Sequence, residues 1–323
     1  MAVDIGIDLG TTSIVVYLRG RGIVLKEPSI VAFERETEQI KEIGAEARIM
    51  LGQSHGNLVA VRPLKQGVIT DYSVTERIIR YFVQKSLGKL ALKKPRMAIS
   101  VPCSATEVER KAVETAAYAA GAREVFIVEE PMAAALGAGI DIEKPSANLI
   151  VDIGGGTTDV ALLSLGSPVA KAFVKVAGND FDEALIRYMR ARHQLLIGET
   201  VAEDIKIQIG TVHSEIWEPS MEVKGRDLFD GLPKTIVLSS NETAVALKDV
   251  TEQIIQVVCK VLEETPPELA ADLLERGILL TGGGSLIRGL ARLIEDRTGV
   301  RATLVQDPLM AVAKGVGSYA HRV

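Results

Sequence analysis

The feature that most constrains this chain is a run of three glycines between two apolar stretches, in residues 149–163, L-I-V-D-I-G-G-G-T-T-D-V-A-L-L. The apolar stretches predict two strands, and Asp152 lies near the end of the first. Because glycine has no side chain, the backbone N–H groups of residues 154–156 can approach a phosphate closely, and the Thr157 hydroxyl adds a donor. The second stretch is strand-like, whereas the glycines of a Walker loop or a Rossmann turn open a helix. Residues 149–163 therefore predict a β-hairpin whose tip binds an anion.

A second copy of this pattern lies near the start of the chain. Residues 5–18, I-G-I-D-L-G-T-T-S-I-V-V-Y-L, again give an apolar run, an aspartate, a glycine, two threonines and a departing apolar run, with Asp8 in the place of Asp152. One copy is weak evidence, because such turns occur by chance, but two copies about half a chain apart indicate two related domains. We therefore expect two facing hairpins that bind one nucleotide between them.

The composition indicates a soluble globular protein. A length of 323 residues fits two domains, and 47% hydrophobic with 24% charged residues is typical of globular chains. A net charge of −5 argues against nucleic acid as a partner. No stretch approaches the roughly 20 apolar residues of a membrane span, and the first strand begins too near Met1 for a signal peptide. Cys103 and Cys259 lie far apart in apolar surroundings, which predicts reduced core residues in a cytoplasmic protein, and the histidines show no zinc-ligand spacing.

Two stretches rich in small residues predict helices that pack very closely. The first, M-A-A-A-L-G-A-G, follows Glu129, Glu130 and Pro131, and the second, P-L-M-A-V-A-K-G-V-G-S-Y, covers residues 308–319. Alanine and glycine at helical spacing let two backbones approach each other. We expect these helices to cross beneath the cleft and to form the hinge between the domains.

Three local signals predict where other helices begin. Ser104, with a glutamate three residues later, predicts a capping box at the start of a helix that ends at Gly121. A helical pattern over residues 249–264 stops at a pair of prolines. Residues 282–284 are three glycines between a strand and a helical pattern, so they are expected to open that helix, a geometry suited to adenine or an α-phosphate.

Together these elements resemble the actin, DnaK-chaperone and sugar-kinase superfamily. Its five signatures follow in order as phosphate turns at 8–12 and 152–159, connecting helices at 130–139 and 308–317, and an adenosine turn at 281–284. Within the superfamily, stretches such as V-R-P-L-K-Q-G-V-I-T-D-Y and K-G-R-D-L-F-D-G-L-P-K-T are most similar to the bacterial MreB/Mbl family, and the similarity spans the chain. MreB-type sequences tend to have alanine and asparagine where this chain has Thr12 and Ser13, and many have glutamate in place of Asp159.

The resemblance implies an α/β, actin-like two-domain ATPase fold with duplicated mixed β-sheet cores, flanking helices and two small inserted subdomains. The implied boundaries are residues 1–32, 67–148 and 309–323 for domain IA, 33–66 for subdomain IB, 149–181 and 245–308 for domain IIA, and 182–244 for subdomain IIB.

The two hairpin aspartates are the candidates for holding a divalent cation. ATP is strongly anionic and Mg²⁺ keeps most of its waters, so a pair of carboxylates that bind those waters is the expected protein contribution. Asp8 and Asp152, one from each hairpin, fit this role. Either residue would also serve simply as a turn former.

The resemblance implies the other roles. Glu130 matches the superfamily residue that orients the attacking water, Thr157 assists through its hydroxyl, and Glu129 should point the other way. Glu203 and Lys206 match positions that contact ribose and adenine, and an exposed ion pair between them is the alternative. The predicted nucleotide-binding residues are Gly10, Thr11, Thr12, Gly154, Gly155, Gly156, Thr157, Glu203, Lys206, Gly282, Gly283 and Gly284.

The resemblance further implies a cytoplasmic ATPase that binds ATP and Mg²⁺ and polymerises into filaments that organise cell-wall synthesis and rod shape. Its implied partners are further copies of itself, the inner face of the cell membrane, and membrane proteins of cell-wall synthesis and shape determination. A DnaK-type chaperone would need a further substrate-binding domain, and a sugar kinase would usually be longer and carry an aspartate base. A scaffold that binds ATP without turnover, or an ATPase that does not polymerise, stays open.

One short stretch suits a membrane surface. Residues 87–94, L-G-K-L-A-L-K-K, interleave Leu87, Leu90 and Leu92 with lysines, whereas the chain begins as a strand and offers no N-terminal amphipathic helix. Apolar side chains at the headgroup boundary beside lysines favour an anionic surface. The alternative is that these leucines complete the preceding helix and pack inward.

Overall fold

Two five-stranded sheets, one in each half of the chain, form the framework of the protein. The computed structural model describes residues 4–37, 39–50, 57–65, 68–69, 72–88, 94–213 and 219–322. In chain order the strands are β1 (Asp4–Leu9), β2 (Ser13–Leu18), β3 (Gly22–Pro28), β4 (Val31–Glu34), β5 (Ile40–Ile43), β6 (Leu58–Val61), β7 (Leu64–Lys65), β8 (Val68–Ile69), β9 (Arg96–Val101), β10 (Glu124–Glu129), β11 (Asn148–Ile153), β12 (Thr158–Ser164), β13 (Ser167–Val174), β14 (Leu195–Leu196), β15 (Ser220–Asp227), β16 (Pro233–Ser239), β17 (Ile278–Thr281) and β18 (Ala302–Leu304). The helices are α1 (Ala45–Ile49), α2 (Tyr72–Leu87), α3 (Glu107–Ala119), α4 (Glu130–Gly137), α5 (Gly178–His193), α6 (Glu199–Gln208), α7 (Ser240–Glu263), α8 (Pro267–Arg276), α9 (Leu290–Thr298) and α10 (Ala311–Arg322).

The two large sheets repeat one topology. The first has the order β10-β9-β1-β2-β3 and the second the order β13-β12-β11-β17-β18. In each, a central strand forms an antiparallel hairpin with the next strand in the chain, β1 with β2 and β11 with β12. On its other side each central strand pairs in parallel, β1 with β9 and β11 with β17. The predicted duplication of mixed sheets, and the α/β fold class, are confirmed.

Two three-stranded sheets and the two-stranded pair β7-β8 accompany the large ones in the described part of the chain. One has the order β5-β4-β6 and lies between the first three strands and α2 in the chain, and the other has the order β14-β15-β16 and is preceded by α5. We propose that the chain has the four predicted divisions, with the β5-β4-β6 sheet in subdomain IB and the β14-β15-β16 sheet in subdomain IIB.

Among the described residues, three large apolar clusters hold these parts, and a small one lies around Ile30, Ala32 and Ala47. One packs β1, β2 and β9 against α2 and α3, and a second packs β11, β12 and β17 against α5, α7 and α9. The third joins the halves, since it contains Ala98 and Val128 from the first sheet together with Ile150 and Ala161 from the second. Its centre is formed by residues of α4 and α10. The two helices rich in small residues, α4 and α10, therefore pack where the two sheets meet.

Glycine makes the crossing of α4 and α10 possible. A Cβ on Gly315 would overlap the carbonyl oxygen of Ala133, and a Cβ on Gly137 would overlap the carbonyl oxygen of Ala311. The two backbones touch with no side chain between them at this point. Any larger residue here would force the helices apart.

Three local predictions need correction. The capping box of α3 is formed by Thr106 and Glu109, whose side chains bond reciprocally to backbone N–H groups, and Ser104 is not the cap. The sequence contains two overlapping capping-box patterns there, Ser104 with Glu107 and Thr106 with Glu109, and only the second forms. Helix α7 begins at Ser240, nine residues before the predicted start, because Ser239 and Glu242 form a capping box. Glycines 283 and 284 open only a 3₁₀ turn, Gly283–Leu286, and α9 begins at Leu290.

The predicted membrane stretch is described only at its ends. Residues 89–93, with Leu90 and Leu92, lie outside the described residues. For Leu87 the prediction of a membrane contact is wrong, because this residue ends α2 and packs into the apolar cluster of the first sheet. Within the described ranges, none of the helices combines the length and apolarity needed to span a bilayer.

Candidate active site

The two hairpin turns meet at a cavity of about 490 Å³ between the halves of the chain. Backbone and side chains from both large sheets, from α6 and from the glycine turn after β17 line it. Of the predicted site residues it is lined by Asp8, Gly10, Thr11, Thr12, Glu130, Asp152, Gly154, Gly155, Thr157, Glu203, Lys206, Gly282, Gly283 and Gly284. Gly156 lines an adjoining cavity of about 590 Å³. Residues separated by most of the chain are thus brought together at one site.

The first hairpin presents Asp8 near the end of β1. Asp8 retains some accessible surface toward the cavity, yet burial raises its pKa to about 6, and a hydrogen bond from Ser100 partly offsets this. The Ser100 hydroxyl on β9 donates to Asp8 Oδ1 over 3.0 Å and accepts the backbone N–H of Leu9 over 3.3 Å. The neighbouring parallel strand therefore fixes the orientation of Asp8.

The second hairpin presents Asp152 in more crowded electrostatic surroundings. Burial raises the pKa of Asp152 well above its usual range, and the charges of Asp159 and Asp8 add to the shift. Asp159 lies directly opposite Asp152 in the β11–β12 register. Burial likewise raises the pKa of Glu130, with Asp159, Asp152 and Asp8 as the contributing charges. Three carboxyl groups that line the cavity and the fully buried Asp159 therefore influence one another.

Glu130 and its neighbour Glu129 face different surroundings, as strand alternation predicts. Glu130, the first residue of α4, lines the cavity. Glu129 Oε1 instead binds Arg110 of α3 and Lys171 of β13, each over 2.7 Å. Burial raises the pKa of Glu129, but these two cations reverse the shift and leave it lowered. Glu129 thus joins the two halves behind the site, because Lys171 belongs to the second sheet and Arg110 packs beside the first.

The far end of the cavity is partly apolar. Ile207, Leu286 and Leu309 line it, and each is more than a third exposed, so a flat base could cover them. Lys206 donates to the Gly178 carbonyl over 3.0 Å and to Asp182 Oδ2 over 2.8 Å. Glu203 and Lys206 therefore do not form the exposed ion pair with each other, because Glu203 binds Arg48 and Lys206 binds Asp182.

Sequence reasoning missed the contribution of the N-terminus of α5. Gly178 and Asn179 line the cavity, and their N–H groups donate to the carbonyls of Gly154 and Gly155 over 3.1 and 2.8 Å. These bonds brace the glycine turn from the side. The signal was the sequence A-G-N-D, residues 177–180, which begins three residues after the end of β13 and opens a helix.

Two ion pairs cross the mouth of the cleft. Arg48 of α1 binds Glu203 of α6 over 3.2 Å, and Arg62 binds Glu199 over 3.3 Å. Both pairs border the larger cavity. They join α1 and the residue after β6 to α6 across the opening.

Comparison with known proteins agrees with this architecture. A family model described as MreB/Mbl protein matches residues 2–323. The cell shape-determining protein Mbl of Bacillus cereus is 46% identical over 314 residues, covering 97% of this chain and 94% of that protein. The crystal structure of MreB 5 of Spiroplasma citri bound to AMPPNP superposes with a TM-score of 0.94 at 37% identity, covering 100% of this chain and 97% of that one.

A filament structure is also similar. The MamK double helical filament has a TM-score of 0.85 at 25% identity, and the match covers 100% of both chains. The agreement extends over every element that builds the cleft and over both small sheets. The chain therefore belongs to the MreB/Mbl family of cell-shape-determining, actin-like ATPases.

Proposed function

We propose that the cleft binds ATP with Mg²⁺, that Glu130 and Thr157 act on the attacking water, and that turnover is coupled to filament assembly. The observation that carries the proposal is the position of Glu130, which lines the cavity beside two glycine hairpins that each contribute an aspartate. Phosphoryl transfer depends mainly on positioning and charge stabilisation, which this arrangement provides.

The hairpin aspartates fit a hydrated cation. Asp8 and Asp152 repel each other across the floor of the cavity, and burial raises the pKa of both, so a cation between them is electrostatically favoured. Within the described ranges, no group of three or more acidic, histidine or cysteine side chains is arranged to bind a metal directly. We propose that Asp8 and Asp152 hold Mg²⁺ through its waters. Mg²⁺, when bound, neutralises charge on the phosphates.

Glu130 supports the hydrolytic step in this proposal. Its carboxylate orients the water and accepts its proton late, and a pKa raised by burial makes it a better acceptor. The buried Thr157 hydroxyl lies on the turn of the second hairpin, where it adds a hydrogen-bond donor or acceptor for the same water. Lys206 and Glu203 would contact the ribose and base, with the apolar side chains of Ile207, Leu286 and Leu309 beside the adenine.

Assembly follows from the closed shape of the cleft. A nucleotide bound between two halves fixes their relative angle, and the closed shape is the one expected to stack into filaments. The filament of the similar MamK and the name of the similar Mbl support assembly and a role in cell shape. We propose that these filaments lie at the inner face of the membrane and organise cell-wall synthesis through shape-determining membrane proteins.

The Glu130→Ala variant tests the proposed mechanism. We expect the turnover number for phosphate release to fall by about 100-fold or more, because a general base typically contributes that much. ATP affinity should change by less than about threefold, since no phosphate contact is lost. Glu124→Ala, at the start of β10, the strand that precedes α4, is the control and should match the unmodified protein. A normal turnover number in Glu130→Ala would rule out the role.

The concentration dependence of phosphate release tests assembly. A polymerising ATPase should show a critical concentration in phosphate release and in pelleting with ATP, with filaments visible by electron microscopy. An ATPase that does not polymerise would give a straight line through the origin and no pellet. A protein that binds ATP without releasing phosphate at any concentration would instead be the non-enzymatic scaffold.

Liposome co-sedimentation tests the membrane proposal. Replacing Leu90 and Leu92 by serine should abolish binding to anionic liposomes and leave phosphate release unchanged. Filaments multiply a weak contact by avidity, so the assay requires assembled protein. Unchanged binding would eliminate this stretch as the contact.

A further inference from the structure

The two related hairpins differ at one buried position. In the first, Asp8 lies opposite Val15, and in the second, Asp152 lies opposite Asp159. Val15 and Asp159 are both 0% exposed. A buried carboxylate is costly unless it is hydrogen-bonded, and the first hairpin shows that an apolar side chain fits the same place. Asp159 therefore calls for an explanation beyond the hairpin fold.

Asp159 connects the second hairpin to the other half of the protein. Its Oδ1 accepts the backbone N–H of Cys103 over 2.7 Å, and Cys103 lies just after β9 of the first sheet. Its Oδ2 is buried and accepts no hydrogen bond from the residues that the structure describes. A buried polar atom of this kind is rare and points to a functional constraint.

Asp159 also lies near both residues proposed to act on the water. It follows Thr157 by two residues in the second hairpin, and burial raises the pKa of Asp159 to about 6, a shift that the hydrogen bond from the Cys103 backbone opposes. Burial also raises the pKa of Glu130, and the charge of Asp159 adds to that shift. Glu130 begins α4, directly after a strand of the first sheet. Through Cys103, Asp159 thus ties the second hairpin to the half of the protein that carries Glu130.

We propose that Asp159 is a positioning residue for ATP hydrolysis, which binds the Cys103 backbone so that the turn that carries Thr157 and the half that carries Glu130 meet the attacking water in a fixed relation. The inference rests on the proposed roles of Glu130 and Thr157. It assigns the second hairpin a task that the first lacks, since Val15 cannot accept a hydrogen bond through its side chain.

Asp159→Asn tests this role, because asparagine keeps the shape but replaces the charge-assisted hydrogen bond from the Cys103 N–H by a weaker neutral one. We expect the turnover number to fall about 10- to 100-fold, with KM and ADP affinity within about twofold. Asp159→Glu keeps the charge on a longer side chain, and its turnover number should lie within about threefold of normal. The control is Asp4→Asn, which alters a buried aspartate at the far end of β1, paired with Arg96 and Arg19, and should lower stability without changing the turnover number.

The double variant distinguishes positioning from simple damage. If Asp159 acts through Glu130, then Asp159→Asn should add little to the effect of Glu130→Ala. An Asp159→Asn protein with normal turnover, or Asn and Glu variants that lose turnover and ATP affinity together, would overturn the inference. If Asp159→Asn fails to fold, a lowered midpoint of thermal unfolding will show it. The turnover number of Asp159→Glu then tests the inference. Failure of Glu130→Ala to slow turnover would instead overturn the proposed function on which the inference rests.

Discussion

The two phosphate-turn hairpins share a backbone and differ in their surroundings. In the first, β1 pairs with β2 and Asp8 is fixed by the Ser100 hydroxyl of a parallel neighbour. In the second, all residues of β11 and β12 are buried, and Asp152 lies opposite a second carboxylate. The duplication therefore explains the shape of the cleft but not its chemistry. One hairpin is built to hold a charge, and the other to place several carboxyl groups close together.

Placing an aspartate in the first hairpin should have the largest effect. Val15→Asp buries a charge with no arranged partner, and we expect the free energy of unfolding to fall by about 3–5 kcal/mol. Urea unfolding measures this, with Val15→Ala as the control for lost volume, expected to cost about 2 kcal/mol. If Val15→Asp were no less stable than Val15→Ala, the first hairpin would tolerate a buried carboxylate as the second does. The inferred difference between the two hairpins would then be wrong.

Removing the hairpin carboxylates should stabilise the nucleotide-free protein at neutral pH. A raised pKa means that the folded state favours the protonated form, so this contribution to stability is complete below about pH 4 and is lost as the pH rises through about 6. The free energy of unfolding of Asp8→Asn should therefore exceed that of the unmodified protein by on the order of 3 kcal/mol at pH 7 and be almost equal to it at pH 4.

The same experiment compares the two hairpins directly. At pH 7 the free energy of unfolding should rise more in Asp152→Asn than in Asp8→Asn. The reason is that Asp152 lies opposite Asp159, whereas Asp8 accepts a hydrogen bond from Ser100. Urea unfolding at both pH values gives the difference. Equal gains, or a loss of stability at pH 7 in either variant, would contradict the electrostatic contrast.

The smallest effect is expected at the mouth of the cleft, where both halves contribute equally. Arg62→Ala removes one exposed ion pair across the opening, and such pairs contribute about 1 kcal/mol or less. Release of a fluorescent nucleotide should accelerate by about two- to fivefold at low salt and converge with the unmodified protein at high salt. Lys111→Ala, which removes an exposed pair within α3, is the control. A rate unaffected by both salt and Arg62→Ala would show that these pairs do not restrain opening.

Local patterns in the sequence were sufficient for the hairpins, the small-residue helices and most of the cavity lining. Each of those predictions depends on residues that are neighbours in the chain, such as the glycines of a turn. The Ser104 cap failed for the same reason, because two local matches overlapped and only packing decides between them.

Contacts between distant residues could not be predicted. The Cys103–Asp159 hydrogen bond joins positions 56 residues apart, and the Arg48–Glu203 pair joins positions 155 apart. In the sequence, Asp159 is simply a polar residue at the start of an apolar strand. Its importance depends on the loop after β9 and on Glu130, which come from the other half of the fold.

The crossing of α4 and α10 has a consequence for synthesis of the chain. Helix α10 packs on β1, β2 and β9 as well as on α4, and a Cβ on Gly6 of β1 would lie only 2.5 Å from the backbone nitrogen of Gly317. Residues 311–322 leave the ribosome after all the strands of both large sheets, so the first sheet emerges early and waits for its covering helix. During that interval one apolar face of the nascent sheet is unprotected, and this is the stage at which a chaperone is most needed.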